Sequence, residues 1–155
     1  MAMVVPARRP PGRAVVAVVL GRRGRIALLR RSALVGSERG RWHCVTGFME
    51  SDSPLLDAVR ELYEETGLGV ADLVGLSAGP VLSLPDRAEL VWTVHTFWAE
   101  TECHRLRLNW EHDAYQWVAP GSLASVDGRV AWLGAVLSSM REVREVPEVR
   151  EADRS

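Results

Sequence analysis

The residues predict an α/β sandwich, a mixed sheet lying between helices. Three observations carry that expectation. Residues 13–20 and 89–99 are runs of β-branched and aromatic residues, apolar on both alternating faces, as in strands covered on both sides. Residues 54–66 repeat Leu55, Val59, Leu62 and Thr66 at three- to four-residue spacing, which predicts a helix with that stripe buried. A second helix is predicted over residues 129–143, with Val130, Leu133, Val136, Leu137 and Met140 on its apolar face.

The elements follow in order. Residues 1–12, rich in Pro and Arg, read as a flexible arm, and residues 147–155 as a loose, charged tail. A single domain is expected between them, over residues 13–146. The first strand, 13–20, and a second, 25–30, flank a turn at residues 21–24, so they form a hairpin. Residues 32–40 contain Gly36 and Gly40 among polar residues and read as a loop. Residues 42–48 (WHCVTGF) form one further strand. The helix then has its own punctuation: Ser53 as N-cap, Pro54 at the first helical position and Gly67 just past the end. Strands follow at residues 81–84, 89–99 and 115–118, each bounded by Pro, Gly or Asp.

Bulk properties exclude several function classes. A formal net charge of −1 with 25% charged residues gives no basic excess for nucleic acid. The apolar run at residues 14–20 is too short to span a bilayer, so no membrane association is expected. Cys44 and Cys103 make neither a metal spacing nor a disulfide scaffold, which predicts a cytoplasmic protein. Every basic side chain is arginine, a preference that composition bias alone can produce.

Chemistry concentrates in Arg60-Glu61-Leu62-Tyr63-Glu64-Glu65-Thr66-Gly67-Leu68. On a helix, Glu61, Glu64 and Glu65 fall at i, i+3 and i+4 and crowd one face. Like charges so placed repel, and a plain solvated helix gains nothing from them. A divalent cation turns the repulsion into attraction, and hard carboxylate oxygens suit Mg²⁺ or Mn²⁺.

This stretch resembles the Nudix box: Gly, five residues, Glu, seven residues, Arg-Glu, an aliphatic, any residue, Glu-Glu, any residue, Gly, an aliphatic. Arg60, Glu61, Leu62, Glu64, Glu65, Gly67 and Leu68 match its second half at every fixed position. The first half departs from it. Asp52, separated from Arg60 by seven residues, stands in place of Glu, and the loop from Gly47 is expected to be one residue short. Residues 42–47 and 111–118 are also similar to segments of the Nudix subgroup that includes dATP and dihydroneopterin triphosphate pyrophosphohydrolases.

The resemblance implies a Nudix-type sandwich over about residues 13–145. It implies hydrolysis of a pyrophosphate bond in a nucleoside di- or triphosphate or dihydroneopterin triphosphate, assisted by Mg²⁺ or Mn²⁺. Glu61, Glu64 and Glu65 would hold the cation with the Gly47 carbonyl, and Arg60 would orient the carboxylates. Glu111 is the leading candidate for the base outside the box, with His112 beside it a second; Glu65 is also assigned to the catalytic set. Arg30 and Arg41 are candidates to clamp phosphates. Phe48, with Trp42, Trp92, Trp98 and Trp110, is a candidate to stack on a base or pterin ring. The resemblance also admits a homodimer, and it leaves open a non-catalytic domain that binds a nucleotide for regulation.

Overall fold

The structure is a computed structural model and describes residues 13–140. The expected arm at 1–12, the tail at 147–155 and the end of the last helix at 141–143 lie outside the described residues. Strand β1 (Ala14–Arg22) is the hub of the sheet. It runs antiparallel to β2 (Arg25–Arg31) only at the hairpin, where Gly21 faces Ile26 and Arg22 faces Arg25. Arg23 and Gly24 both take positive φ, 51° and 79°, the backbone of a two-residue turn whose twist matches the strands. Beyond it β2 peels away and pairs with β3 (Trp42–His43) and β7 (His112–Val118). Strand β4 (Val45–Phe48) takes the vacated side of β1. On the other side of β1, β6 (Val91–Thr101) runs parallel over eight pairs, and β5 (Leu73–Pro85) forms the far edge.

A helix covers each face. Helix α1 (Pro54–Thr66) packs Ala58 and Leu62 against Val16, Val18, Leu20, Leu29 and Val45. Helix α2 (Ala131–Ser139) packs Leu133 and Val136 against Ala17, Val19, Leu28 and Val94. Alternate residues of β1 thus feed two cores, which is why that strand is apolar throughout. Burying a side chain such as Leu62, 2% exposed, contributes roughly 1.5–3 kcal/mol.

The expected fold class holds, with corrections to its elements. The single strand over 42–48 is two, because the chain changes partner at Cys44, from β2 to β1. Residues 81–84 are only the end of the thirteen-residue β5. Its earlier part carries Gly75, Gly79 and Pro80 and has register shifts near both glycines, features an edge strand tolerates. Strand β6 starts at Val91 rather than 89, since Asp86 caps a turn by accepting the Ala88 and Leu90 N–H groups and Glu89 sits at φ 66°. Strand β7 starts at His112 rather than 115, and α2 starts at Ala131 rather than 129, because Arg129 bridges to Trp42.

The buried stripe of α1 is also displaced. Leu55 is 48% exposed, whereas Asp57, Ala58, Glu61, Leu62, Glu65 and Thr66 are buried. The rotation that this implies is held at the N-terminus by two contacts. Ser53 Oγ accepts the Leu56 N–H, and Asp57 is hydrogen-bonded to the loop ahead of the helix. Two of the three clustered glutamates therefore face the protein and not the solvent.

Candidate functional site

The site is built on the inward face of α1 and the backbone of β4. Thr46 donates its N–H to Glu65, and Gly47 lies directly against the Glu61 carboxyl group. Any Cβ at position 47 would overlap that carboxyl, so the glycine is required by close approach. Glu61 and Glu65 are 7% and 1% exposed. They also sit in the last two turns of a helix whose final turn has no basic residue, where the helix dipole disfavours negative charge. Burial raises the pKa of both. Glu64 adds to the rise at Glu61, and Glu111 followed by Glu61 adds to it at Glu65. The hydrogen-bonding contact between the two carboxyl groups lowers Glu61 and raises Glu65 further. This arrangement opposes folding stability and suits cation binding.

Arg60 is the cationic clasp of the site. Its Nη1 donates to Glu61 Oε2 at 2.9 Å and lies 3.6 Å from Glu64 and 3.8 Å from Glu50, and its Nη2 donates to Asp57 Oδ1 at 2.9 Å. The Asp57 bond, followed by the Glu61 charge, raises the Arg60 pKa further. Among the described residues no three His, Cys, Asp or Glu side chains converge on one point at ligating distance. Glu64, an exposed residue, is turned toward Arg60. The donor chemistry nonetheless fits a hard divalent cation: carboxylate oxygens only, two of them buried, with Glu65 Oε1 lacking any hydrogen-bond partner.

Asp57 is the residue that the sequence reasoning missed. Asp52, which stands at the Glu position of the box, is exposed and makes no ion pair among the described residues. Asp57 is 2% exposed, and its Oδ2 accepts the N–H groups of Glu50 and Ser51 and the Ser51 hydroxyl at 3.1–3.3 Å. Burial pushes its pKa up, but Arg60 and the Ser51 and Glu50 donors outweigh it and hold the carboxyl below the usual range. The one-turn spacing from Asp57 to Arg60, just inside a helix start, was the available signal.

The other expected residues divide. Glu111 is brought to the cluster, close enough to raise the pKa of Glu65, and Asn109 Nδ2 donates to its Oε1 at 3.3 Å. His112 is buried with Nδ1 3.8 Å from Glu65 Oε1, and burial followed by the Arg31 charge lowers its pKa to about 4. His43 is lowered to about 3 by burial, Arg31 and His112. Arg31, which the sequence did not single out, therefore faces this cluster, while Arg30 does not. Arg30 pairs with Asp113 at 2.7 Å and stacks 5.8 Å from the Trp42 ring. Arg41 lies 3.4 Å from Glu38 and donates to the Arg129 carbonyl. Phe48 follows Gly47 on the strand and so faces the other side of the sheet, its ring 5.7 Å from Trp92. Cys44 is buried and pushed up to about 12 by burial and Glu65, which keeps it a neutral thiol.

Comparison with known proteins accords with this geometry. Over 119 residues the chain is 40% identical to the octanoyltransferase of Myxococcus xanthus, 70% of this chain but only 31% of that protein. It therefore spans about a third of that relative's length. The NUDIX domain of Shewanella oneidensis NrtR, complexed with ADP ribose, superposes with a TM-score of 0.72 over 88% of this chain and 91% of that one, at 14% identity. A bifunctional NMN adenylyltransferase/ADP ribose pyrophosphatase from Francisella tularensis, complexed with AMP and a Mn ion, gives 0.68 over 90% of this chain and 44% of that one, at 17% identity. The NUDIX domain profile matches residues 10–138. That match spans the sheet, α1 and the Arg60–Gly67 stretch, and the chain belongs to the NUDIX domain family.

Proposed function

We propose that this protein is a metal-dependent pyrophosphohydrolase acting on a nucleoside triphosphate or a related triphosphate such as dihydroneopterin triphosphate. The observation that carries the reading is the burial of Glu61 and Glu65 in a mutually repelling cluster. The fold tolerates this cost at a place where a divalent cation would relieve it. Glu61, Glu64 and Glu65, with the Gly47 carbonyl, would hold Mg²⁺ or Mn²⁺. When bound, such a cation neutralises phosphate charge and lowers the pKa of a bound water. The chain's own residues do the rest. Arg60 fixes the Glu61 carboxylate, Asp57 fixes Arg60 and the loop ahead of the helix, and Glu111 accepts a proton from the attacking water. Glu64, exposed and turned toward Arg60, would complete the carboxylate set that holds the cation.

Mn²⁺ and AMP in the Francisella protein and ADP ribose in the NrtR domain support a nucleotide-like ligand and a divalent metal. The octanoyltransferase match covers 31% of that protein, so its name assigns no acyl transfer to this chain. A regulatory domain that binds a nucleotide without turnover is the second reading. Glu61, Glu64 and Glu65, all retained in the second half of the box, argue for catalysis.

A hydrolysis screen over nucleoside triphosphates, dihydroneopterin triphosphate and nucleotide-linked sugars, with products identified by mass, tests the proposal. Release of phosphate or pyrophosphate should require Mg²⁺ or Mn²⁺. Glu64→Gln and Glu65→Gln should each lower kcat by roughly 10²-fold or more, with circular dichroism unchanged. Wild-type turnover in both variants would refute the assignment. Tight binding with no turnover across the panel would favour the regulatory reading.

A further inference from the structure

Three buried side-chain polar atoms among the described residues have no hydrogen-bond partner: His43 Nδ1, Glu65 Oε1 and His112 Nδ1. They are not scattered through the protein. His43 on β3 and His112 on β7 flank the end of β2, facing Leu29 and Arg31 in register. The Arg31 charge acts on both. His112 Nδ1 lies 3.8 Å from Glu65 Oε1, the two side chains being 3% and 1% exposed. An orphaned buried polar atom costs about 1–3 kcal/mol. Two of them facing each other just beyond bonding distance mark a contact completed by a movement of less than about 1 Å.

We propose that His112 is the positioning residue for Glu65. Its Nδ1–H donates to Glu65 Oε1 when that carboxylate serves as a cation ligand, which fixes the carboxylate plane. The inference rests on the reading of Glu65 as a metal ligand. The geometry separates His112 from its neighbour Glu111. A residue this buried, with its Nδ1 turned to the carboxylate, does not take a proton from the attacking water. A neutral imidazole carries one N–H, and the orienting partner of a ligating group decides where it sits. Without that donor, an ionised Glu65 would be buried with only the Thr46 N–H and the cation to offset its charge.

The test is Mn²⁺ binding to the protein without substrate, followed by the electron paramagnetic resonance signal of free Mn²⁺. The set comprises the wild type, Glu65→Gln, His112→Leu and His112→Asn. The asparagine amide nitrogen falls near the Nδ1 position, so it restores the donor. His112→Leu should weaken Mn²⁺ binding 10- to 100-fold, and His112→Asn should stay within about threefold of wild type. Melting temperatures of these two variants without Mn²⁺ should match. Equal weakening by Leu and Asn would assign His112 a packing role only and overturn the proposal, as would wild-type affinity in His112→Leu. Should His112→Leu fail to fold by circular dichroism, His112→Gln takes its place, since its amide reaches the Nε2 position instead. The same 10- to 100-fold weakening is then expected, and wild-type affinity overturns the proposal. If Mn²⁺ binding is absent in the wild type or unaffected by Glu65→Gln, the metal role of Glu65 falls and the proposal with it. Binding that needs Glu65 but not His112 removes the proposal alone.

Discussion

Asp57, buried at the start of α1, is the residue that anchors both Arg60 and the loop ahead of the helix. Its carboxylate gathers two backbone N–H groups, a hydroxyl and Arg60. Removing it leaves the two backbone N–H groups unpaired and takes one partner from a partly buried guanidinium, so Asp57→Ala is expected to cost about 2–4 kcal/mol of stability in urea unfolding at neutral pH. The sign of the pH dependence follows from a carboxyl held below its unfolded value of about 3.9. The stabilisation is fully present above that value and is lost as pH falls through the lower folded value. The gap between wild type and Asp57→Ala should therefore narrow below about pH 4. A gap that stays constant from pH 7 to pH 3 would mean that Asp57 acts through shape and not through charge. Catalytic rate should fall with stability in this variant, because Arg60 loses the contact that aims it at Glu61.

The element that matters is α1, and its two ends set the direction of its carboxylate face. Ser53 and Pro54 start it; Gly67, at φ 79°, ends it and donates its N–H to the Tyr63 carbonyl at 2.8 Å. Thr66 then ties the exit, donating its hydroxyl to the Leu62 carbonyl and accepting the Leu68 N–H. Gly67→Ala forces a Cβ into the left-handed region, 3.1 Å from Arg107 Cβ, and should cost about 1–2 kcal/mol. A urea midpoint unchanged from wild type would show that the last turn can unwind without penalty. The helix boundaries were legible in the residues because capping is local chemistry. The buried stripe was not. Leu55 fits a 3.6-residue apolar pattern as well as Leu62 does, and only the docking of α1 on β4 shows that Glu61 and Glu65 face inward.

Over the whole molecule, a cluster that opposes folding should make stability respond to its cation. At a Mn²⁺ concentration a hundred times its dissociation constant, binding to the folded state alone adds about 2.7 kcal/mol. For a chain of this size that corresponds to a melting temperature higher by roughly 5–10 °C. Glu65→Gln should abolish most of that rise, and differential scanning fluorimetry with Mn²⁺, with Mg²⁺ and with a chelator would measure it. An equal rise in wild type and variant would place the ion elsewhere on the protein.

The sequence by itself determined the layers, the caps of α1 and the carboxylates of the box, since periodicity, helix-end chemistry and a run of glutamates are all local properties. Only the tertiary structure decided which of those carboxylates is buried, which acid holds Arg60, and that β4 brings Gly47 against Glu61. It also separated Arg31 from Arg30 and Gly47 from Phe48, because neighbouring strand residues face opposite sides and the sheet's docking chooses between them. The meeting of His112 with Glu65 joins residues 47 positions apart across β7 and α1. No local pattern encodes such a contact, because it exists only once the chain has closed on itself.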